Sequence, residues 1–202
     1  YEVFFSLNYK GEIDGGMNKY LKIGLFTILA GAGSAAAAED GTITFDGTIS
    51  DATCIITGGD AQGESTSPDF TVHLPSVSTT ALATAGQRAG DTPFFIKLSG
   101  SNCTNNKVAS VFFELAQSTN INTATGNLKN TVTTGGADKV EIGLLDSSKA
   151  VLDLNTANNN PKTAVISGNT ARFDYWAQYV ATGGAATAGK VTTDVVYSIK
   201  YQ

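Results

Sequence analysis

The side chain best suited to acid–base or metal chemistry in this sequence is a single histidine. Because His73 is the only histidine, a catalytic triad or a histidine-based metal site would have to use it. It alternates with Val72 and Leu74, as a residue on the outer face of a half-buried strand does. We therefore interpret His73 as a surface or hydrogen-bonded histidine with no catalytic role.

Two pairs of carboxylates, Asp138/Glu141 and Asp146/Asp153, could be considered for general acid–base chemistry. Nothing in the sequence places either pair in a cleft, and we interpret them as solvated groups at strand edges. The sequence has one histidine, two cysteines and one methionine, so it holds no cluster of the side chains that a copper or zinc site needs. We expect no enzyme activity, no metal site and no cofactor.

Aromatic side chains near the end of the sequence offer a second kind of chemistry, the stacking of a sugar ring. Tyr175, Trp176 and Tyr179 are close in sequence, but as neighbours on a core strand they are better explained by packing. Asn102-Cys-Thr104 matches a glycosylation sequon. We do not expect it to be used, because the cysteine inside it is a candidate for a disulfide.

The two cysteines, Cys54 and Cys103, both follow a segment that resembles an export signal. Two cysteines in an exported chain most often pair, and the alternative is two buried free thiols. A bridge between them would close a loop of 49 residues, which stabilises the fold by roughly 4 kcal/mol in the chain-entropy model. We predict the disulfide, and with it a compartment in the bacterial periplasm or beyond if the source is bacterial.

Residues 17–38 have the organisation of a secretory signal peptide. A short basic segment starts at Met17, an apolar stretch runs over 23–33, and small residues fill 34–38. The apolar stretch is too short to span a bilayer, which needs roughly 20 residues, so no stable membrane span is expected. Residues 1–16 are interpreted as an upstream segment that is non-native or follows from a mis-assigned start.

The mature chain is expected to be a single acidic domain with one extension. The formal net charge is −5 and the sequence contains no basic cluster, so a nucleic-acid partner is not expected. Residues 39–50 are predicted to form an N-terminal extension and residues 51–202 a compact domain. Glycine-rich turns between short alternating stretches favour an all-β sandwich over a helical fold.

The strand predictions rest on two-residue alternation and β-branched or aromatic composition. A short helical turn is expected around 80–84, and a hairpin is expected to turn at Ser147-Ser148. The predicted strands cover residues 41–49, 50–57, 70–74, 92–98, 108–117, 139–145, 150–154, 171–180 and 189–202.

Two of these strands carry the functional prediction. The final stretch, 189–202, places its apolar residues on one face, and a long apolar strand with an open edge invites pairing with another chain. The stretch 41–49 alternates strictly, so it resembles a strand that could be donated. Its inward residues are Gly41, Ile43, Phe45, Gly47 and Ile49.

Four features together resemble the structural subunits of chaperone–usher pili, in particular type 1-like major fimbrial subunits. The first is the alternating stretch 41–49 that leads into Cys54. The second is the pair of stretches 72–75 and 92–98, which lie ahead of Cys103. The third is the Tyr/Ala alternation over 175–183. The fourth is a penultimate aromatic residue, Tyr201, with a glycine fourteen residues from the end, Gly189. The resemblance covers essentially all of residues 39–202.

The resemblance implies an incomplete immunoglobulin-like β-sandwich that lacks its last strand and is completed by donor-strand complementation. It further implies a groove beside the final strand, where a periplasmic pilus chaperone lends a strand. An outer-membrane usher then exchanges that strand for the extension of the neighbouring copy. The residues implied for the chaperone and acceptor strand are Gly189, Val191, Val195, Tyr197, Ile199 and Tyr201. In this interpretation Ile43 and Phe45 are the main donor side chains.

The expected function is therefore a structural subunit that polymerises into a surface pilus and supports adhesion and biofilm formation. Export through the periplasm to an extracellular fimbrium on a Gram-negative cell is the expected route. A sugar-binding tip adhesin or a minor adaptor subunit of the same pilus is the alternative. A stand-alone immunoglobulin-like enzyme or copper protein is a third interpretation, which the scarcity of His, Cys and Met disfavours.

Overall fold

The computed structural model describes residues 53–156 and 162–202, which belong to a compact unit spanning Gly47–Gln202. Within these described ranges, nine strands form two antiparallel sheets, and one short 3₁₀-helix covers Thr79–Leu82. The strands are β1 (Ile55–Asp60), β2 (Gly63–Glu64), β3 (Arg88–Ser99), β4 (Val108–Phe113), β5 (Leu128–Lys129), β6 (Val140–Asp146), β7 (Thr163–Val165), β8 (Ala171–Ala181) and β9 (Tyr197–Tyr201). The predicted all-β sandwich is confirmed.

The larger sheet has six strands in the order β2-β1-β3-β8-β6-β5, and the smaller has three in the order β7-β4-β9. The long strands β3 and β8 are central, with Ile96 opposite Phe173 and Phe94 opposite Tyr175. In the smaller sheet β4 pairs with β9 so that Val111 faces Ile199. In this order β9 is an edge strand of the smaller sheet.

The core lies between the two sheets and follows from the alternation in the sequence. Ile96, Leu98, Val111 and Phe173 are at most 3% exposed. The Tyr175 ring stacks on Phe94 and meets another ring edge to face, with centroids 5.4 and 5.5 Å apart. Burying each large apolar side chain of this kind stabilises the fold by about 1.5–3 kcal/mol.

Several element boundaries differ from the sequence prediction. Among the described residues, the predicted strand 50–57 corresponds to Ile55–Asp60 and continues three residues further than expected. Strand β3 begins at Arg88 because Gly90, with φ of 76°, allows a bulge between Ala89 and Thr92. The segment 150–154 folds back only through the isolated bridge Leu145–Val151. The short strands β2, β5 and β7 were not predicted, because two or three residues carry no periodic pattern.

Two predicted strands lie largely outside the hydrogen-bonded ladders of the described residues. Residues 70–74 belong to no ladder, and the final strand is regular only over Tyr197–Tyr201. Both segments keep the predicted alternation of half-buried and exposed side chains. The alternation therefore predicted correctly which side chains face inward. It did not predict the hydrogen-bonded ladder, because a ladder also depends on a neighbouring strand that is distant in sequence.

The interpretation of Glu141 as a solvated carboxylate is wrong. Its residue is 6% exposed, because residues 122–127 fold over that part of β6. The carboxylate accepts hydrogen bonds from Asn122 Nδ2 at 2.5 Å, Thr125 Oγ1 at 2.7 Å and Asn127 Nδ2 at 3.1 Å. Glu141 therefore anchors a loop to the sheet.

The same interpretation is wrong for Asp146, which is 3% exposed at the end of β6. The Lys162 ammonium lies 2.6 Å from Oδ2, and the backbone N–H groups of Ser148 and Ala150 donate to Oδ1. The Lys162 hydrogen bond, against the opposing effect of burial, holds the pKa of Asp146 below its usual range, with the two backbone bonds adding to it. Asp138 and Asp153 are exposed, as predicted.

Candidate functional site: an open groove between two unpaired walls

An apolar groove of about 870 Å³ runs along one side of the sandwich. We call residues 68–74 its first wall and residues 191–199 its second wall. Its floor consists of core side chains from both sheets. The main floor residues are Phe94, Ile96, Phe113, Leu128, Ile142, Leu144, Ala177 and Tyr179.

The first wall is an extended segment that turns alternate side chains inward. Phe70, Val72 and Leu74 are half-buried against the core, while the residues between them are exposed. Phe70 fits against β1 because residue 58 is a glycine. A Cβ added at that position would overlap the Phe70 ring. This packing places the wall beside the larger sheet without a ladder of backbone hydrogen bonds.

His73, near the C-terminal end of the first wall, is hydrogen-bonded to Asp60 of β1. Its backbone N–H donates to Asp60 Oδ2 at 2.7 Å, and its ring Nδ1 lies 2.9 Å from the same oxygen. Burial alone would raise the pKa of Asp60, but the hydrogen bonds from His73 and from the Gln62 N–H outweigh it, so that pKa is lowered. The side chain of His73 is 51% exposed, which confirms its interpretation as a hydrogen-bonded surface histidine.

The second wall is hydrogen-bonded on one side. The backbone of Lys190 bonds to Gly135 and Ala137, and the carbonyl of Thr192 accepts from the Thr131 N–H. The carbonyl of Val196 accepts from the Glu114 N–H at 2.8 Å. Because the N–H and C=O of successive residues in an extended chain point to opposite sides, the odd-numbered residues direct theirs towards the groove.

The side chains of those odd-numbered residues face the core. Val191, Val195, Tyr197 and Ile199 pack partly buried against it and line the groove. Thr193 lies in the same series and is also part of the lining. The half-buried apolar side chains of both walls give the groove an apolar inner surface.

One hydrogen bond connects the walls at one end of the groove. The Tyr197 hydroxyl donates to the Pro68 carbonyl at 2.7 Å, and the Tyr197 ring meets Phe70 edge to face at 6.3 Å. Burial, with a smaller contribution from nearby Asp69, raises the pKa of Tyr197. No backbone hydrogen bond joins the two walls within the described residues.

Gly189 lies just ahead of the second wall, where two backbones come close together. A Cβ at this position would overlap the backbone of Gly136 and Ala137. Neighbouring Lys190 forms a parallel bridge with Gly136. The close approach of the two backbones therefore explains why residue 189 is a glycine.

The other predicted site residues fall in three places. Cys54 and Cys103 form the predicted disulfide, and the described residues hold no free cysteine. Tyr201 lies outside the groove lining, and burial, opposed by a smaller effect of the Cys54 backbone, raises its pKa. The five proposed donor residues at 41, 43, 45, 47 and 49 lie outside the described residues.

The first wall is the part of the site that sequence reasoning missed. Its alternation was recognised as a strand, but only the position beside 191–199 shows that Phe70, Val72 and Leu74 line the same groove. The aromatic residues considered for sugar stacking serve packing in part, since Tyr175 is 2% exposed in the core. Trp176 lies on the outer face under the Lys149 ammonium, 4.2 Å from the ring centroid.

Comparisons with known proteins show the family of this chain. The family model described as "Fimbrial protein" matches residues 43–202. The chain belongs to the fimbrial protein family. It is 41% identical over 182 residues to the major fimbrial subunit SMF-1 of Stenotrophomonas maltophilia, covering 86% of this chain and 99% of that protein. It is 42% identical over 182 residues to the F17 fimbrial protein of Escherichia coli, covering 87% and 95%.

A solved structure of a chaperone–usher pilus has the same fold. The alignment covers 85% of this fimbrial chain and all of that chain, at 20% identity and a TM-score of 0.51. The family match and the two relatives confirm the resemblance to pilus subunits drawn from the sequence. No helix among the described residues is long and apolar enough to span a bilayer.

Proposed function

We propose that this fimbrial protein is a structural pilus subunit that polymerises by donor-strand exchange, with the open groove as acceptor and residues 41–49 of a neighbouring copy as donor. The observation that carries the proposal is the groove itself. Two walls with apolar inner faces run beside one another, and no backbone hydrogen bond joins them within the described residues. An added strand would pair with the wall backbone, and its alternate side chains would enter the groove.

The donor stretch has the composition that such a groove requires. Ile43, Phe45 and Ile49 supply bulk on one face, and the residues of the opposite face are Thr or Asp. Burying each large side chain contributes about 1.5–3 kcal/mol. The unpaired backbone groups of the second wall add a ladder of hydrogen bonds to this apolar contribution.

The groove also supports a role for assembly factors. An apolar surface of this size with an open strand edge promotes aggregation when it is left uncovered. A periplasmic chaperone that lends a strand would cover it during export, and an outer-membrane usher would exchange that strand for the donor of the next subunit. The resulting product is a fimbrium at the surface of a Gram-negative cell, where it supports adhesion and biofilm formation.

Two charge substitutions in the complete chain test this function. Phe45→Asp introduces a carboxylate into the groove, which costs several kcal/mol without a partner, whereas Thr44→Asp introduces the same charge on the outward face. We expect electron microscopy to show normal fibres for Thr44→Asp and few or none for Phe45→Asp. Equal fibre yields from the two variants would overturn the donor-strand assignment.

A further inference from the structure

Asp60 is a buried carboxylate at the end of β1, outside the groove lining. Its side chain is 3% exposed and both of its oxygens accept hydrogen bonds. Oδ1 accepts from the Gln62 N–H at 2.8 Å. Oδ2 accepts from the His73 N–H at 2.7 Å and lies 2.9 Å from the His73 ring Nδ1. One carboxylate therefore connects the turn after β1 to a segment 13 residues further along the chain.

That segment is the first wall of the groove, which belongs to no ladder among the described residues. Its start is held by the hydrogen bond from the Tyr197 hydroxyl to the Pro68 carbonyl. Near its other end, the His73 N–H bonds to the larger sheet through Asp60. We call the Asp60–His73 hydrogen bonds the anchor of the first wall. Hydrogen bonds to a charged group contribute more than those between neutral groups, so the anchor is the stronger of the two attachments.

Two contacts with β1 determine which side chains of the wall face inward. Positions 58 and 60 lie on the same face of β1, because side chains alternate along a strand. The Phe70 ring occupies the space that a Cβ at Gly58 would fill, and His73 is bonded to Asp60. A slip of the wall by one residue would turn its apolar side chains outward. The same slip would take the residue-73 amide away from the carboxylate.

The carboxylate of Asp60 is ionised at neutral pH. Burial raises the pKa of Asp60, but the hydrogen bonds from His73 and Gln62 together outweigh burial, and the pKa is lowered. An ionised carboxylate only accepts hydrogen bonds, so it suits a place where two backbone N–H groups and a ring nitrogen converge. A buried charge is stable only with its partners, and this dependence couples the position of the wall to β1.

We propose that Asp60 is a positioning residue for strand acceptance, which holds the first wall in register and ready to pair with an incoming strand. The proposal rests on the donor-strand function and adds a requirement on the acceptor side of the groove. A wall that is already ordered spares the incoming strand the entropic cost of ordering it. Loss of the anchor should therefore weaken strand acceptance more than it weakens the sandwich, whose fully buried core is formed by other strands.

Substitutions at residues 60 and 73 separate the anchor from the turn that precedes it. Asp60→Ser keeps an oxygen for the Gln62 N–H, since serine forms the same kind of turn, but it is too short to reach His73. His73→Ala removes only the ring and keeps the N–H. His73→Pro removes the N–H, and its fixed φ suits an extended segment. Glu64→Ala is the matched control, because Glu64 is a carboxylate of β2 that bonds to β1 and β3 and not to the wall.

Two measurements on the complete chain distinguish positioning from general stability. Amide hydrogen exchange resolved to single residues compares the wall at residue 73 with the core at Phe173, and electron microscopy gives the fibre yield. We expect the residue-73 amide of Asp60→Ser to exchange about ten- to a hundredfold faster, with little change at Phe173. We expect its fibre yield to fall about tenfold, and that of His73→Pro to fall similarly. His73→Ala should have a smaller effect, and Glu64→Ala should match the wild type.

Three outcomes would overturn the proposal. Normal fibre yield from Asp60→Ser or His73→Pro would show that strand acceptance does not need the anchor. Wild-type exchange at residue 73 in Asp60→Ser would show that the carboxylate does not hold the wall. Equally accelerated exchange at residue 73 and at Phe173 would show that Asp60 only stabilises the fold as a whole. If Asp60→Ser does not fold, His73→Pro gives the same test of fibre yield, because it leaves Asp60 and its turn in place.

The function on which the proposal rests is tested separately. Normal fibres from Phe45→Asp would overturn donor-strand exchange, whereas the exchange result at residue 73 would still show whether Asp60 holds the wall.

Discussion

Glu141 offers the sharpest test of how this domain is held together. Its carboxylate is the common acceptor for three side chains that cover the outer part of β6, Asn122, Thr125 and Asn127. In Glu141→Ala those donors lose their partner. Asn127 is 5% exposed and cannot regain water, whereas Asn122 is half-buried and Thr125 is exposed.

The expected cost follows from that difference in exposure. A buried donor left without a partner costs about 1–3 kcal/mol, and partial rehydration of the other two reduces their contribution. We therefore expect Glu141→Ala to lower the free energy of unfolding by about 2–4 kcal/mol. For a domain of this size, that corresponds to a fall in Tm of roughly 5–15 °C.

The assay is thermal unfolding at pH 7 followed by far-ultraviolet circular dichroism. Glu141→Gln keeps one acceptor oxygen and should fall between the wild type and Glu141→Ala. Asp138→Ala removes an exposed carboxylate three residues away and should change stability by about 0.5 kcal/mol or less. If Glu141→Ala and Asp138→Ala unfold at the same temperature, the buried network contributes nothing to stability and the reasoning is refuted.

Three further predictions concern other parts of the domain. Replacing Cys54 and Cys103 with Ser should lower stability by roughly 4 kcal/mol through the 49-residue loop; unchanged melting with and without reductant would contradict this. The lowered pKa of Asp146 stabilises the fold above the unfolded-state pKa of about 3.9. That contribution disappears as pH falls through the folded pKa, so Asp146→Asn should show a smaller loss of stability in acid, and parallel pH profiles would disprove the assignment. Gly189→Ala should cost more than about 2 kcal/mol in urea unfolding because its Cβ meets backbone, whereas Ala188→Ser beside it should be nearly neutral.

The sequence predicted those parts of the fold that depend on local alternation. The strands that contain Phe94, Ile96 and Phe173 were identified because a half-buried strand needs a two-residue period. The inward face of the final stretch was also correct, since Val195 and Tyr197 line the groove. These features are properties of one segment and its own side chains.

Other features depend on segments that are distant in sequence. Glu141 is buried because a loop from 122–127 covers it, and nothing around residue 141 shows that the loop folds there. Likewise, the first wall and the second wall are separated by more than 100 residues, and only the sandwich brings Phe70 beside Tyr197.

The place of β4 in the smaller sheet has a consequence for the kinetics of folding. Both of its partners, β7 and β9, come later in the chain, and Phe113 meets Tyr197 only across 84 positions. When the chain emerges N-terminus first, both edges of β4 stay unpaired until most of the domain has followed. Non-local pairing of this kind is slow and leaves edges open to aggregation. During that interval the smaller sheet is incomplete, and the core side chains of β4 are not yet covered by their partners.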